Sequence, residues 1–283
     1  NMPVKIVTDS ASDMPADIAD KFGISVVPCN VMFGTEQFRD GVDISADQFY
    51  ERLSEGPVLP TTSQPSPGDF VQVYNDLGKD AEGIVSIHVS SKLSGTYNSA
   101  IQARDQTTAT CQIEVVDSTQ ASMGIGVIAI AAAQAAAEGM SVEEVAALSR
   151  NAVSRSQVYC LFDTVEYLVK GGRIGKAKGI LGSVLRVKPL LIVRDGEVDE
   201  LGKARTFAKG LQKLKDITRE YAPLDQVFAL HTTTPDLARE MAESFRDLLP
   251  DGVEPSIARL GPTVGTYAGP GVAAVALLQA GKG

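Results

Sequence analysis

Hydroxyl groups gather in two short stretches of this chain, each of a kind that can hold an anion. In LPTTSQPSPGDF, beginning at Leu59, the side chains of Thr61, Thr62, Ser63 and Ser66 lie between prolines that stiffen the backbone and fix the donors. In SSKLSGTYNSA, beginning at Ser90, the residues Ser94, Gly95 and Thr96 follow a strand-like run and enter a helix-like one. A helix start offers free amides and the positive end of the helix dipole, Ser94 adds a hydroxyl donor, and Gly95 permits close backbone approach. Both stretches also suit a plainer use, with Ser66 capping a helix, the threonines turning the chain, and Ser94 to Thr96 capping another. Neither has the glycines of a Walker or dinucleotide fingerprint.

Two further stretches carry unusual composition. LVKGGRIGKAKG, beginning at Leu168, opens a run from Lys170 to Lys188 that holds Lys170, Arg173, Lys176, Lys178, Arg186 and Lys188 and no acid. It would dock an acidic partner or reach a phosphate, and would equally serve as a solvated helix face with flexible glycines. LGPTVGTYAGPG, beginning at Leu260, sets Thr266 and Tyr267 among glycines and prolines, as a mobile or tightly turned ligand lid would. The only histidines, His88 and His231, show no metal spacing and no neighbouring nucleophile, so neither a catalytic residue nor a metal site is expected. His88 reads as a hydrogen-bonded histidine within an apolar strand.

These stretches must be held by an α/β framework. Val4 to Thr8, Ile24 to Val31, Ile84 to Val89 and Ile113 to Val116 read as strands. Helix starts fall between them: Ser12 with Pro15, Ser45 with Gln48, Ser66 with Pro67, and Ser141 with Glu144. Such alternation predicts a mostly parallel sheet flanked by helices, with ligands outside the carboxyl ends of its strands, where Asp9 to Ser12, Thr61 to Ser66 and Ser90 to Thr96 lie. A second, mixed α/β unit begins near Val158, with a hairpin turning at Asp195-Gly196, a helix from about Thr206 to Tyr221, a strand from Val227 to Leu230 and a helix starting at Thr234-Pro235. Two domains are expected, residues 1–157 and 158–283, and a length of 283 residues gives each its own core.

A net charge of -9 disfavours nucleic acid as a partner. Cys29, Cys111 and Cys160 are scattered and odd in number, which fits a reducing cytoplasm. The most apolar stretch, Ala121 to Ala137, falls short of the roughly 20 residues of a membrane span and reads as a buried helix, so membrane contact is expected to be transient at most. Asn1 ahead of Met2 reads as a cloning remnant, and no export signal is expected.

Taken together and in order, VTDSASDMP from Val7 and the four stretches above resemble the DegV family over nearly the full length. The resemblance implies a carrier that buries a long-chain fatty acid between its domains, without a cofactor and without catalysis of its own. Some members serve as the fatty-acid-binding subunit of a bacterial fatty acid kinase, which implies a separate kinase catalytic subunit as a partner. By the same resemblance Thr62 and Ser94 match the residues that hold the carboxylate, with Ser63, Gly95 and Thr96 beside them and Thr266 and Tyr267 in the lid. Arg173 and Arg205 match arginines near the carboxylate or on the kinase-facing surface. The family usually has histidine where this chain has Tyr267, so carboxylate binding is expected to persist while handover to a kinase is altered. The rival expectation is an enzyme component like the substrate-binding part of dihydroxyacetone kinase, although neither histidine lies in the loop that such chemistry uses.

Overall fold

In the computed structural model, which describes residues 2–182 and 186–281, the predicted alternation of strands and helices is present; Asn1 lies outside the described residues. The first half runs β1 (Val4–Asp9), α1 (Ala16–Phe22), β2 (Ile24–Val27), β3 (Asn30–Phe33), β4 (Glu36–Arg39), α2 (Ala46–Glu55), β5 (Thr61–Ser63), α3 (Pro67–Leu77), β6 (Gly83–His88), α4 (Thr96–Gln106), β7 (Gln112–Asp117), α5 (Met123–Ala137) and α6 (Val142–Val153). The second runs β8 (Ser156–Leu161), α7 (Glu166–Lys170), β9 (Lys188–Arg194), β10 (Glu197–Ala204), α8 (Phe207–Glu220), β11 (Leu224–His231), α9 (Pro235–Glu243), β12 (Ser256–Arg259), α10 (Pro262–Ala268) and β13 (Ala273–Gln279).

One sheet is wholly parallel, in the order β2-β1-β6-β7. Every residue of β6 is buried, as a parallel strand covered on both faces requires. The helix starts expected at Ser45, Ser66 and Ser141 begin α2, α3 and α6, each with a capping box, that of Ser66 completed by Asp69. The other large sheet is mixed, β10-β9-β8-β13-β11-β12, with β11 and β12 parallel and the remaining pairs antiparallel. The β9–β10 hairpin turns at Asp195 and Gly196, both at positive φ (52° and 81°), the pairing that matches strand twist in a two-residue turn.

Three readings are corrected by the structure. The apolar run Ile24 to Val31 is not one strand: Pro28 interrupts it, β2 joins the parallel sheet, and β3 joins a separate small sheet in the order β4-β3-β5. Thr61 to Ser63, taken for part of a loop, form β5 of that sheet, with Val31 opposite Thr62. Ser12 starts no α-helix; it closes a 3₁₀ turn over Ser10–Ser12, and α1 begins only after Pro15.

The layers stack around α5. Helices α3 and α4 cover one face of the parallel sheet, with Phe70, Tyr74 and Ala100 against Val7 and Ile84. On its other face lies α5, where a second apolar cluster runs from Val85 and Ile87 through α5 into the mixed sheet at Val158, Leu191 and Leu278. Helices α8 and α9 cover the far face of that sheet through Leu214, Met241 and Phe245. From Met123 to Ile130 every residue of α5 is buried, and its glycines and alanines let two sheets approach one helix. No helix among the described residues is long and apolar enough to cross a membrane.

Candidate functional site

A cavity of roughly 1020 Å³, mouth included, opens where the carboxyl ends of β1, β6 and β7 face the mixed sheet. Ala11, Val89 and Ala121 contribute from the loops after those three strands, and β8, β9 and β10 close the opposite wall with Val158, Leu191 and Val198. The wall is mainly apolar, and the size lies at the upper end of small-molecule sites. Cys29 and Cys160 also line it. Burial pushes the Cys160 thiol up to about 12 and the Cys29 thiol above its usual range, so both remain protonated and act as small apolar groups.

Several polar groups converge around Tyr267. Thr62 of β5 and Tyr267 of α10 meet with their side-chain oxygens 2.5 Å apart, and either can donate. Ser94 lines the same cavity, and its hydroxyl lies 2.8 Å from that of Thr96 at the start of α4 and accepts from the Thr96 amide at 3.2 Å. A Cβ at Gly95 would fall 2.8 Å from Nε2 of Gln64, another lining residue, whose flexible amide end would have to shift. Ser63 lines the cavity beside Thr62. Arg173 donates from Nε to the Leu93 carbonyl at 3.3 Å and from Nη1 to that of Gly171 at 2.8 Å, and its guanidinium carbon stands 4.9 Å from the centre of the Tyr267 ring. Contacts with backbone carbonyls and an aromatic face orient the guanidinium while leaving its positive charge in place. Three hydroxyls and one cation on the wall of a mainly apolar cavity can hold a carboxylate with its tail directed inward.

Thr62, Arg173 and Tyr267 are shared with a second, outer chamber of about 600 Å³ that also takes in Leu59, Lys170 and Thr266. The Thr62–Tyr267 contact therefore stands on the wall common to both. Thr266 donates to the Pro262 carbonyl at 2.9 Å inside α10. Arg205 lies elsewhere, lining a separate hollow with Lys203, Lys209 and Lys213. The cationic run from Lys170 to Lys188 does not form a single helix face: α7 ends at Lys170, a 3₁₀ segment spans Gly175–Gly182, and residues 183–185 lie outside the description. Within it Lys170, Lys176 and Lys188 pair with Glu166, Glu197 and Asp163.

The lid-like stretch from Leu260 proves to be a helix wedged in place. A Cβ on Gly265 would lie 2.7 Å from the Tyr50 hydroxyl, and one on Gly171, in the turn after α7, only 2.5 Å from Cδ1 of Tyr267. Glycine there gives closeness between elements rather than mobility.

One expectation about histidine is overturned. His88 does sit beside a hydroxyl, with Ser86 Oγ 2.6 Å from Nε2 and Asp9 Oδ2 2.8 Å from Nδ1, an order of groups that resembles a hydrolytic triad. All three are fully buried, the Tyr74 hydroxyl reaches Ser86 at 2.8 Å, and none of them lines the cavity. A substrate cannot reach such a serine, and the hydrogen-bonded strand histidine is what the geometry describes. His231 is buried with no partner for Nδ1, and burial together with Arg259 and Arg239 holds it below the usual imidazole range.

Sequence reasoning missed Gln64, Gly171 and the buried pair Asp13 and Asp40. Asp13 accepts from the Gly261 amide at 2.9 Å and from the Ser122 hydroxyl at 2.7 Å, and Asp40 accepts from the Thr263 amide and hydroxyl at 3.1 and 2.6 Å. Burial raises both carboxyls above the ordinary range, Asp13 well above it. Asp13, Gln64 and Gly171 lie within stretches singled out in the sequence but were given no role there, and Asp40 lies in none of them.

Comparison with known proteins agrees with this geometry. The family model described as "Uncharacterised protein, DegV family" matches residues 3–280. A DegV domain-containing protein of Caldanaerobacter subterraneus subsp. tengcongensis is 36% identical, covering 96% of this chain and 97% of its own length. Among solved structures, a fatty-acid-binding DegV family protein from Thermus thermophilus aligns with a TM-score of 0.89 at 32% identity, covering 99% of this chain and 100% of that one. DegV of Bacillus subtilis, a fatty acid binding protein, aligns at 0.88 and 28% with the same coverage. The family model and these relatives span nearly the whole length, and the chain belongs to the DegV family.

Proposed function

We propose that this protein is a fatty-acid carrier rather than an enzyme in its own right. The acyl chain lies in the inner cavity, and the carboxylate is held by Thr62, Ser94, Tyr267 and Arg173, with Ser63, Gly95, Thr96 and Gln64 shaping the turn around it. The observation that carries this reading is the cavity itself: mainly apolar, with the Thr62 and Tyr267 hydroxyls in contact and Arg173 set against the Tyr267 ring and the Leu93 carbonyl next to Ser94. The fatty-acid-binding relatives from Thermus thermophilus and Bacillus subtilis support it. Each buried methylene contributes about 0.8 kcal/mol, so a tail of about sixteen carbons offers roughly 12 kcal/mol before ordering costs, and the head-group contacts chiefly set direction.

The finer reading is that the carboxylate is presented to a fatty acid kinase acting in the cytoplasm. What supports it is the outer chamber, since Thr62, Arg173 and Tyr267 wall both spaces and a bound carboxylate would lie one side chain from the outside. On this reading the protein needs no cofactor, and Arg205 belongs to the partner-facing surface.

Denaturing the purified protein, extracting it and identifying released acyl chains by mass spectrometry tests the carrier reading. A stoichiometric long-chain fatty acid is expected; an empty protein that also fails to take up added octadecanoate would refute it. Formation of acyl phosphate on addition of a fatty acid kinase catalytic subunit and ATP tests the finer one.

A further inference from the structure

The pair Thr62 and Tyr267 joins two elements that are distant in sequence, so something must hold those elements in register before the hydroxyls can meet. Thr62 sits on β5, which pairs with β3 through Val31 and Thr62. Tyr267 sits near the end of α10, a helix of seven residues and therefore roughly 10 Å long. Asp40 directly follows β4, the other neighbour of β3, and its amide donates to the Cys29 carbonyl at 2.9 Å, just ahead of β3. Its carboxylate Oδ2 takes both the amide and the hydroxyl of Thr263 in the first turn of α10. Thr263 and Tyr267 are four residues apart and share one face of that helix, and both line the cavity.

We propose that Asp40 is a positioning residue for the head-group site, bracing α10 against the β3–β4–β5 sheet so that Tyr267 meets Thr62. The path closes on itself: Thr62, β3, Asp40, Thr263, α10, Tyr267 and back to Thr62. Three other side chains grip the start of α10: Asp13 at the Gly261 amide, Tyr50 at the Leu260 carbonyl and Ser10 at the Thr263 hydroxyl, at 2.9, 2.8 and 3.4 Å. None belongs to the sheet that carries Thr62, although the Ser10 hydroxyl also accepts from the Cys29 amide ahead of β3 at 2.9 Å. Asp40 is 8% exposed and does not line the cavity, so its effect on a ligand passes through the helix. Burying a carboxyl is costly, and the two Thr263 hydrogen bonds, with a smaller contribution from Ser10, offset that cost.

The proposal rests on the carboxylate reading above, and the experiment separates the two. Affinities for octadecanoate and octadecan-1-ol, which share a tail, are measured by competition with a fluorescent fatty acid. The proteins are wild type, Tyr267→Phe, Asp40→Ala and the double variant. The acid-over-alcohol preference is expected to fall about fivefold in each single variant and no further in the double, because both changes remove one interaction. Losses that multiply in the double variant, or an Asp40→Ala preference equal to wild type, would overturn the proposal. If Asp40→Ala does not fold, Thr263→Val, which keeps the side-chain shape but removes the hydroxyl donor, takes its place in the same cycle under the same criteria. A wild-type protein that binds both ligands equally would instead sink the carboxylate reading, and this proposal with it.

Discussion

The side-chain oxygens of Thr62 and Tyr267 meet at 2.5 Å although 205 positions separate the two residues in sequence. One comes from a three-residue strand and the other from a seven-residue helix, so the contact ties a small sheet to a short helix at the wall of the cavity. A carboxylate entering there would exchange one hydroxyl–hydroxyl bond for two donors already aimed at it, and that arrangement yields the first expectation.

Thr62→Val keeps the β-branched shape and deletes the hydroxyl. Affinity for a long-chain fatty acid is expected to fall about fivefold, the worth of one neutral hydrogen bond, with folding stability little changed. Titration calorimetry with octadecanoate gives the first quantity and urea unfolding the second.

Gly171→Ala should act through the ring it displaces. Its new methyl would overlap Cδ1 and Cε1 of Tyr267, at 2.5 and 2.7 Å, so the ring must leave both Thr62 and Arg173. Overpacking of this kind costs about 1–3 kcal/mol, and the variant should lose stability and ligand affinity together, as read by urea midpoint and fatty-acid titration.

Val198→Phe on β10 would fill part of the inner cavity far from the hydroxyls in sequence while leaving them untouched. The preferred acyl chain should shorten, each methylene excluded costing about 0.8 kcal/mol or roughly fourfold in affinity. A series of saturated acids of increasing length reads this out, and an unchanged chain-length profile would show that the tail runs elsewhere.

Asp13 makes stability depend on pH. Its carboxyl has the ordinary range in the unfolded chain and is raised well above it by burial in the fold. Between those two values the folded state therefore holds more protons, and stability falls as pH rises from about 4 until the folded-state value is passed. Asp13→Asn removes that titration, so urea unfolding from pH 4 to 8 should show wild type losing stability relative to the variant. A parallel pair of curves would argue against the raised carboxyl.

Much of the framework could be read before any coordinates, because helix starts at Ser45, Ser66 and Ser141 and the strand runs between them are local signals. The run Ile24 to Val31 misled because apolar character says that a residue is buried and not which sheet buries it. Helix α10 was hidden because Pro262–Ala268 offers too few turns for a periodic pattern and is bounded by Gly261 and Gly269. At the site, Thr62 and Ser94 stood out as hydroxyls in well-defined surroundings. Gln64, Gly171 and Asp40 did not, since a glutamine against a glycine, a glycine under a ring and a carboxylate at a distant helix start acquire meaning only from partners far along the chain. His88 was legible as a hydrogen-bonded strand histidine and Ser86 stands two residues from it, but Asp9, 79 positions away, could be joined to them only by the fold.

Helix α5 leaves the chain little freedom to vary in one place. Where most helices keep a wet side on which substitutions accumulate at small cost, the stretch from Met123 to Ile130 answers to a sheet on each side. A larger residue there must push one sheet away, and a smaller one opens a gap that both must close. Its sequence is in effect written by its neighbours, and a change tolerated in it would have to be matched by a complementary change in one sheet or the other.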